Sequence, residues 1–449
     1  MDYKQLEALD KQYLWHPFTQ MQDWLAQEPI IMAQGMGNYL FDVNGKKYLD
    51  AISSLWVNIH GHNRVEINEA IIRQVQTVSH STLLGFANVP SILLAEKLVA
   101  IVPGDLVKVF YSDSGSTSVE IALKIAFQYW QQIATPQRNK TKFISFKNAY
   151  HGDTIGSVSV GGMDDFHETY KQLLFETYEA PYPYCYRCDS SESRCSNTCF
   201  YKLETIMKEH HEEIAGLIIE PRIQGASGMI TSPPGFLKQV ETLCREYGIL
   251  LIVDEVATGF GRTGKMFSCE HEGVSPDIMC VAKGLTGGYL PLAATLTTEA
   301  VYQAFLGEYN EKKTFFHGHS YTGNQLACSA ALASLDLFEK DRVIETLQNK
   351  IALLTSLLVP FRDLCHVGDI RQQGLMVGIE LVLDKRSKQA YGWNERTGIS
   401  VCKDMLDKGF LLRPLGNVIV LVPPLSIAEE EIADLLENLK QSIIKVTGI

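Results

Sequence analysis

Long apolar runs are missing from this 449-residue chain, so no segment reads as a membrane span. Runs of Lys or Arg are missing too. With a net charge of −12, that argues against a nucleic-acid or anionic-membrane surface and leaves small anionic ligands as possible partners. The opening MDYKQLEALDKQYLW lacks the shape of a secretory signal, so a cytoplasmic location is expected, and the ten cysteines read as reduced thiols rather than a disulfide framework. Neither internal repeats nor low-complexity stretches are found. The length is too great for one small core and favours two domains.

What is present centres on residues 249–288. Two short β-branched-rich runs, Gly248 to Val253 and Ile278 to Ala282, have the composition of strands buried on both faces of a parallel sheet. Asp254 and Lys283 follow them directly. Ligands of open α/β sheets bind at the carboxyl ends of strands, so an acid and an amine delivered there predict one shared site. Pyridoxal phosphate chemistry needs such a pair: a lysine amine to hold the cofactor and a carboxylate to keep the pyridine nitrogen protonated. Gly259, Gly261 and Gly264 spell the dinucleotide fingerprint in the same stretch, but KMFSCEHEG behind them is a poor helix, so a nicotinamide site is not expected.

Apolar strands alternate with amphipathic helices from residue 66 to 330, the pattern of a doubly wound α/β domain. Expected strands are Val107 to Tyr111, Lys142 to Phe146, Ala215 to Glu220, Ile249 to Asp254, Ile278 to Ala282 and Leu292 to Thr297. After the first, Ser112 to Thr117 lead into a helix for which Thr117 and Glu120 fit a capping box; the hydroxyls, the glycine and the free N–H groups of that segment make a phosphate cradle, a feature most such caps leave empty and that gains meaning only alongside Lys283. Tyr150 offers a flat face to a pyridine ring, although taken alone it reads as a core tyrosine. Residues 331–449 read as a small α+β domain, completed by residues 1–65, where Asn44-Gly45 marks a hairpin turn. Arg413, before a rigid turn, suits either a structural ion pair or a substrate carboxylate.

Two other clusters are weighed and set aside. Cys185, Cys188, Cys195 and Cys199 stand at C-x2-C-x6-C-x3-C spacing, but the short gap and lack of histidine favour a surface insertion, so no metal is expected. His60 and His62 flank a glycine and read as structural.

Taken together, WHPFTQM, SSLWVNIHGH, YSDSGS, NAYHGDTIG, IIEPRIQGA, DEVATGFGRTGK, AKGLTGGYLPL and RPLGNVIVLVPP resemble the class-III (ω-type) pyridoxal phosphate aminotransferases, and within them the branch serving biotin synthesis. The resemblance implies a fold-type-I homodimer with shared active sites. It implies that Lys283 carries the cofactor, Asp254 faces its ring nitrogen, Gly115 and Ser116 hold its phosphate, and Ser320 reaches that phosphate from the other subunit. Tyr150 would cover the ring. Trp56, Tyr150, Gly318 and Arg413 would contact substrate, with Arg413 on the carboxylate of 7-keto-8-aminopelargonate, the acceptor that becomes 7,8-diaminopelargonate. Members using S-adenosylmethionine usually carry WHPYT and paired tryptophans. Here Phe18 and Leu55-Trp56 remove a phenol and an indole, so lysine is the expected donor and S-adenosylmethionine the second choice. The alternatives are an ornithine- or 4-aminobutyrate-type ω-aminotransferase, and a non-catalytic ligand- or metal-binding protein on the same scaffold.

Overall fold

The computed structural model describes residues 1–163, 167–188 and 197–448. Its centre is a seven-stranded sheet: β1 (Leu106–Ser112), β2 (Lys142–Phe146), β3 (Tyr178–Ala180), β4 (Ile214–Ile219), β5 (Leu250–Asp254), β6 (Ile278–Val281) and β7 (Ala293–Thr298), in the order β1-β7-β6-β5-β4-β2-β3. Every residue of β4, β5 and β6 is buried, which is why their runs are continuously apolar rather than alternating. Only β7 runs antiparallel to its neighbours, so β1, β2, β4, β5 and β6 all end on one edge of the sheet. The short edge strand β3 was not expected from the sequence; three residues leave too brief a pattern to read.

Helix α1 (Gly115–Gln132) packs on this sheet. Its buried residues include Val119, Ala122, Ile125 and Ala126 together with Ile121, Leu123 and Trp130. The cap differs from expectation. Ser114 is the N-cap, accepting from the Thr117 N–H, while Glu120 accepts from the Gly156 N–H at 2.7 Å. The helix starts at Gly115, so Thr117 already lies within its first turn.

The chain ends meet outside this sheet. A hairpin of Tyr39–Asp42 and Lys47–Asp50 turns at Gly45 (φ 83°), and its second strand pairs in parallel with Phe410–Leu411. A second sheet contains Val367–Gln373, Met376–Asp384, Arg413–Leu415 and Val418–Leu421. Buried Arg262 ties both chain ends to the loop after β5: its Nη1 donates to Pro423 O at 2.6 Å and its Nη2 to Asn58 O at 2.7 Å. Burial lowers its pKa to about 9. Gly259, Gly261 and Gly264 lie in the same irregular loop, where Gly261 and Gly264 have φ of 86° and 97° and no helix of α type receives the turn.

Buried Lys140 anchors the opposite edge of the sheet. Its Nζ donates to the carbonyls of His211 (2.7 Å), Ile214 (3.1 Å) and Gly248 (2.9 Å) and sits 4.5 Å from the Trp130 ring centroid. All three ammonium protons are thereby used. Lys140→Met should leave those carbonyls without their donor and cost about 1–3 kcal/mol. The expected result is a lower thermal midpoint with unchanged turnover per folded molecule.

Candidate active site

The five co-directional strand ends open onto one cavity of about 410 Å³. β1 is followed by Ser114, Gly115 and Ser116, β2 by Tyr150 and His151, and β4 by Glu220; β5 ends in Asp254 and β6 is followed by Lys283, and all of these line the cavity. A sheet edge made by parallel strands thus gathers residues up to about 170 positions apart in the chain, as the switch-point rule anticipates.

Asp254 is buried, and both its oxygens are engaged. Oδ1 accepts from the Val256 N–H at 3.0 Å, and Oδ2 lies 2.6 Å from His151 Nδ1. An ionised carboxylate only accepts, so this geometry puts the imidazole proton on Nδ1. Among the described residues, Nε2 of His151 is buried without a hydrogen-bond partner. Glu220 sits in the same group, its pKa raised to about 7 by burial, with its oxygens accepting from the N–H groups of Gly225 (3.0 Å) and Tyr150 (3.1 Å). Glu255, next in sequence to Asp254, is fully buried on the other side; burial raises it to about 7, and it accepts from Thr258 Oγ1 and the Cys269 N–H.

Lys283 opens a short 3-10 turn with φ 42°, and its Nζ stands 5.0 Å from the Trp56 ring centroid. Burial lowers its pKa, while the carboxylates of Asp254 and Glu220 oppose that shift. The amine therefore reaches its neutral, proton-accepting form at lower pH than a free lysine. The glycines behind it have a steric task. A Cβ on Gly288 (φ 87°) would come within 2.9 Å of the Val57 carbonyl carbon, so this close approach of segment 57–58 requires glycine.

Trp56 closes the cavity through an unusual turn. Ser53, Ser54, Leu55 and Trp56 have φ of 50°, 48°, 74° and 69°, four successive left-handed residues without a glycine. Such backbone costs roughly 1–2 kcal/mol per residue and persists only with outside support. Behind the indole lies Gly225, where a Cβ would be 3.0 Å from Trp56 Cζ3.

The phosphate-type cradle is equally tight. A Cβ on Gly152 (φ 120°) would fall 1.9 Å from Ser116 Oγ, and one on Gly115 would fall 2.6 Å from Val256 Cγ1. The Ser116 hydroxyl accepts from the Asp153 N–H at 3.1 Å, and Asp153 accepts in turn from the Tyr150 hydroxyl at 2.8 Å. Gly115 and Ser116 stand at the start of an eighteen-residue helix, ahead of its first intrahelical donor, Ser118.

The cavity therefore brings together Lys283, Asp254, Gly115, Ser116, Tyr150 and Trp56. Gly318, Ser320 and Arg413 do not line it. Ser320 and Arg413 are exposed, and the Ser320 carbonyl accepts from His80 Nε2. Sequence reasoning missed His151, although its place directly after Tyr150 and before Gly152 at a strand end was a usable signal. It also left Glu220 without a role. His60, read with His62 as structural, bonds Ser334 and burial lowers it to about 4, and His62 bonds Asp50. Of the cysteine set, Cys195 lies outside the described residues; among the described residues, no group of three or more His, Cys, Asp or Glu side chains is arranged to hold a metal.

Comparison with known proteins agrees with this geometry. The class-III aminotransferase family profile matches residues 21–443. The chain is 53% identical to the adenosylmethionine-8-amino-7-oxononanoate aminotransferase of Geobacter sulfurreducens, over 100% of this chain and 99% of that one. It is 56% identical to the enzyme of the same name from Anoxybacillus flavithermus, over 97% and 96%. The crystal structure of the Methanocaldococcus jannaschii protein of that name superposes with a TM-score of 0.94 at 50% identity, covering 99% of both chains. An (S)-enantioselective ω-transaminase from Thermomicrobium roseum superposes at 0.93 with 33% identity and the same coverage. With this fold, this strand-end cavity and these relatives, the chain belongs to the class-III aminotransferases and is a transaminase.

Proposed function

We propose that this transaminase uses pyridoxal phosphate to convert 8-amino-7-oxononanoate, which is 7-keto-8-aminopelargonate, into 7,8-diaminopelargonate. The observation that carries the reading is the convergence of Lys283 and Asp254 from neighbouring parallel strands into a cavity that also contains the start of α1. The residues present fit the cofactor. Glycines at 115 and 152 leave a cradle that any Cβ would fill, the N–H groups of Gly115 and Ser116 suit its phosphate, and Asp254 is a buried carboxylate suited to its pyridinium nitrogen.

When bound, the cofactor supplies an electron-accepting ring that weakens the carbon–hydrogen bond next to the transferred nitrogen. The chain's own groups do the rest. Lys283 Nζ would move a proton from the donor carbon to the cofactor carbon in the first half of the exchange and from the cofactor carbon to the acceptor's former keto carbon in the second, a role suited to an amine whose pKa burial has lowered. Asp254 holds a proton at the ring nitrogen, and His151 fixes the direction of its carboxylate. Tyr150 covers the ring and Trp56 excludes water from the amine while forming the substrate wall. Arg413, exposed and without a carboxylate partner among the described residues, is assigned the substrate carboxylate. Gly318 and Ser320 are assigned to a neighbouring active site in a homodimer, which accounts for their place outside this chain's cavity.

The relatives' names carry adenosylmethionine as donor. Two residues argue for lysine instead: Phe18 removes a phenol, and Leu55, exposed beside Trp56, offers an aliphatic surface where a stacking ring would hold a nucleoside. Lysine is the donor proposed first and adenosylmethionine second. With 8-amino-7-oxononanoate as acceptor, purified protein should form the diamine faster from lysine than from adenosylmethionine, by product chromatography. Strong turnover with adenosylmethionine and none with lysine reverses the donor. No product from either, with turnover of ornithine or 4-aminobutyrate, replaces the substrate reading. Lys283→Ala should lower turnover by about 10²- to 10⁴-fold while leaving the thermal midpoint near that of the parent protein.

A further inference from the structure

The left-handed turn that presents Trp56 needs a cause, because none of its four residues is one that favours such backbone. The cause lies one turn upstream. Asp50 is fully buried at the end of the second hairpin strand, and its carboxylate accepts three bonds: from the Ser54 N–H (2.9 Å), from the Ser54 hydroxyl (2.8 Å) and from His62 Nε2 (2.9 Å). Two of the three go to Ser54, the middle of the turn. Ser53 Oγ, donating to Val422 O at 2.7 Å, fixes the turn's start to the C-terminal sheet. Arg262, whose charge the Asp50 carboxylate favours, holds Asn58 just beyond the turn.

We infer that Asp50 is a positioning residue for the reaction: a buried carboxylate, out of reach of substrate, that locks residues 53–56 in left-handed backbone so that the Trp56 indole faces Lys283. Asp50 is not among the residues lining the cavity, whereas Trp56 is. In ordinary right-handed backbone the chain direction at residue 56 changes, and the indole leaves both its Gly225 seat and the 5.0 Å approach to Nζ. The lock therefore sets the substrate wall and the water exclusion around the amine. The inference rests on the proposed substrate only for its kinetic readout; its structural readout is independent of substrate.

The test uses the cofactor-loaded enzyme and compares two kinds of change. Asp50→Asn keeps the shape but cannot accept from all three donors, and Ser54→Ala, at an exposed position, loses the hydroxyl without gaining backbone freedom. Ser54→Gly loses the same hydroxyl yet adopts left-handed backbone freely. Trp56 emission is read as the difference between each protein and its Trp56→Phe counterpart, and KM is read for 8-amino-7-oxononanoate. Asp50→Asn should shift Trp56 emission toward that of exposed indole and raise KM about ten- to hundredfold, the scale of a small misplacement in a site, while the cofactor absorbance band stays in place. Ser54→Ala should move both in the same direction by less. Adding Ser54→Gly to Asp50→Asn should restore both. Lys140→Met supplies the control for stability alone and should move neither.

Unchanged Trp56 emission in Asp50→Asn and Ser54→Ala overturns the inference, as does a change that Ser54→Gly fails to reverse. If the parent protein does not turn over 8-amino-7-oxononanoate, the substrate reading fails and Trp56 emission alone decides the role of Asp50.

Discussion

A carboxylate buried at a strand end must be satisfied on every side, and Asp254 is the point from which the rest of this site follows. The Val256 N–H and His151 Nδ1 occupy its two oxygens, which fixes both the turn after β5 and the loop after β2. Tyr150 then has no freedom to drift, since it precedes His151 and its N–H is held by Glu220. Glu220 in turn holds Gly225, the seat of Trp56. One chain of charge-assisted bonds thus runs from the end of β5 to the cavity wall, and each member is shielded enough for its bonds to be strong.

Buried charges also join the parts of the chain that lie far apart in sequence. Arg262 holds Asn58 and Pro423 together, Asp50 directs the segment between the hairpin and Trp56, and Lys140 collects three carbonyls at the far edge of the sheet. Desolvating such groups is costly, and each is repaid only by nearly complete hydrogen bonding. The consequence is specificity of geometry. An apolar residue at position 262 could fill the space but could not fix two carbonyls from opposite chain ends at once.

The sequence was most legible where a single periodicity or spacing carried the structure. The apolar runs of β4, β5 and β6 and the acid and amine after two of them identified the sheet, its ligand edge and the cavity centre to within one or two residues. It was less legible where geometry depends on residues remote in sequence. His151 serves Asp254 from 103 positions away, and no local pattern links the two. The cap of α1 was displaced by one turn because Ser114 and Thr117 compete equally well by residue type, and only the position of Gly115 decides between them. The left-handed turn at Ser53–Trp56 was invisible, because its residues are ones whose local preference opposes the conformation they adopt. Ser320, Gly318 and Arg413 rest on resemblance to the family, since the shape of one chain's cavity does not include them.

The central claim is that Lys283 is the amine that holds the cofactor in this cavity. Borohydride reduction of the protein loaded with pyridoxal phosphate, followed by peptide mapping, tests it most directly. A phosphopyridoxyl group found on the peptide containing Lys283, and on no other lysine in comparable yield, is the result this account predicts. Modification spread over surface lysines, or concentrated on a lysine outside the cavity, would contradict it.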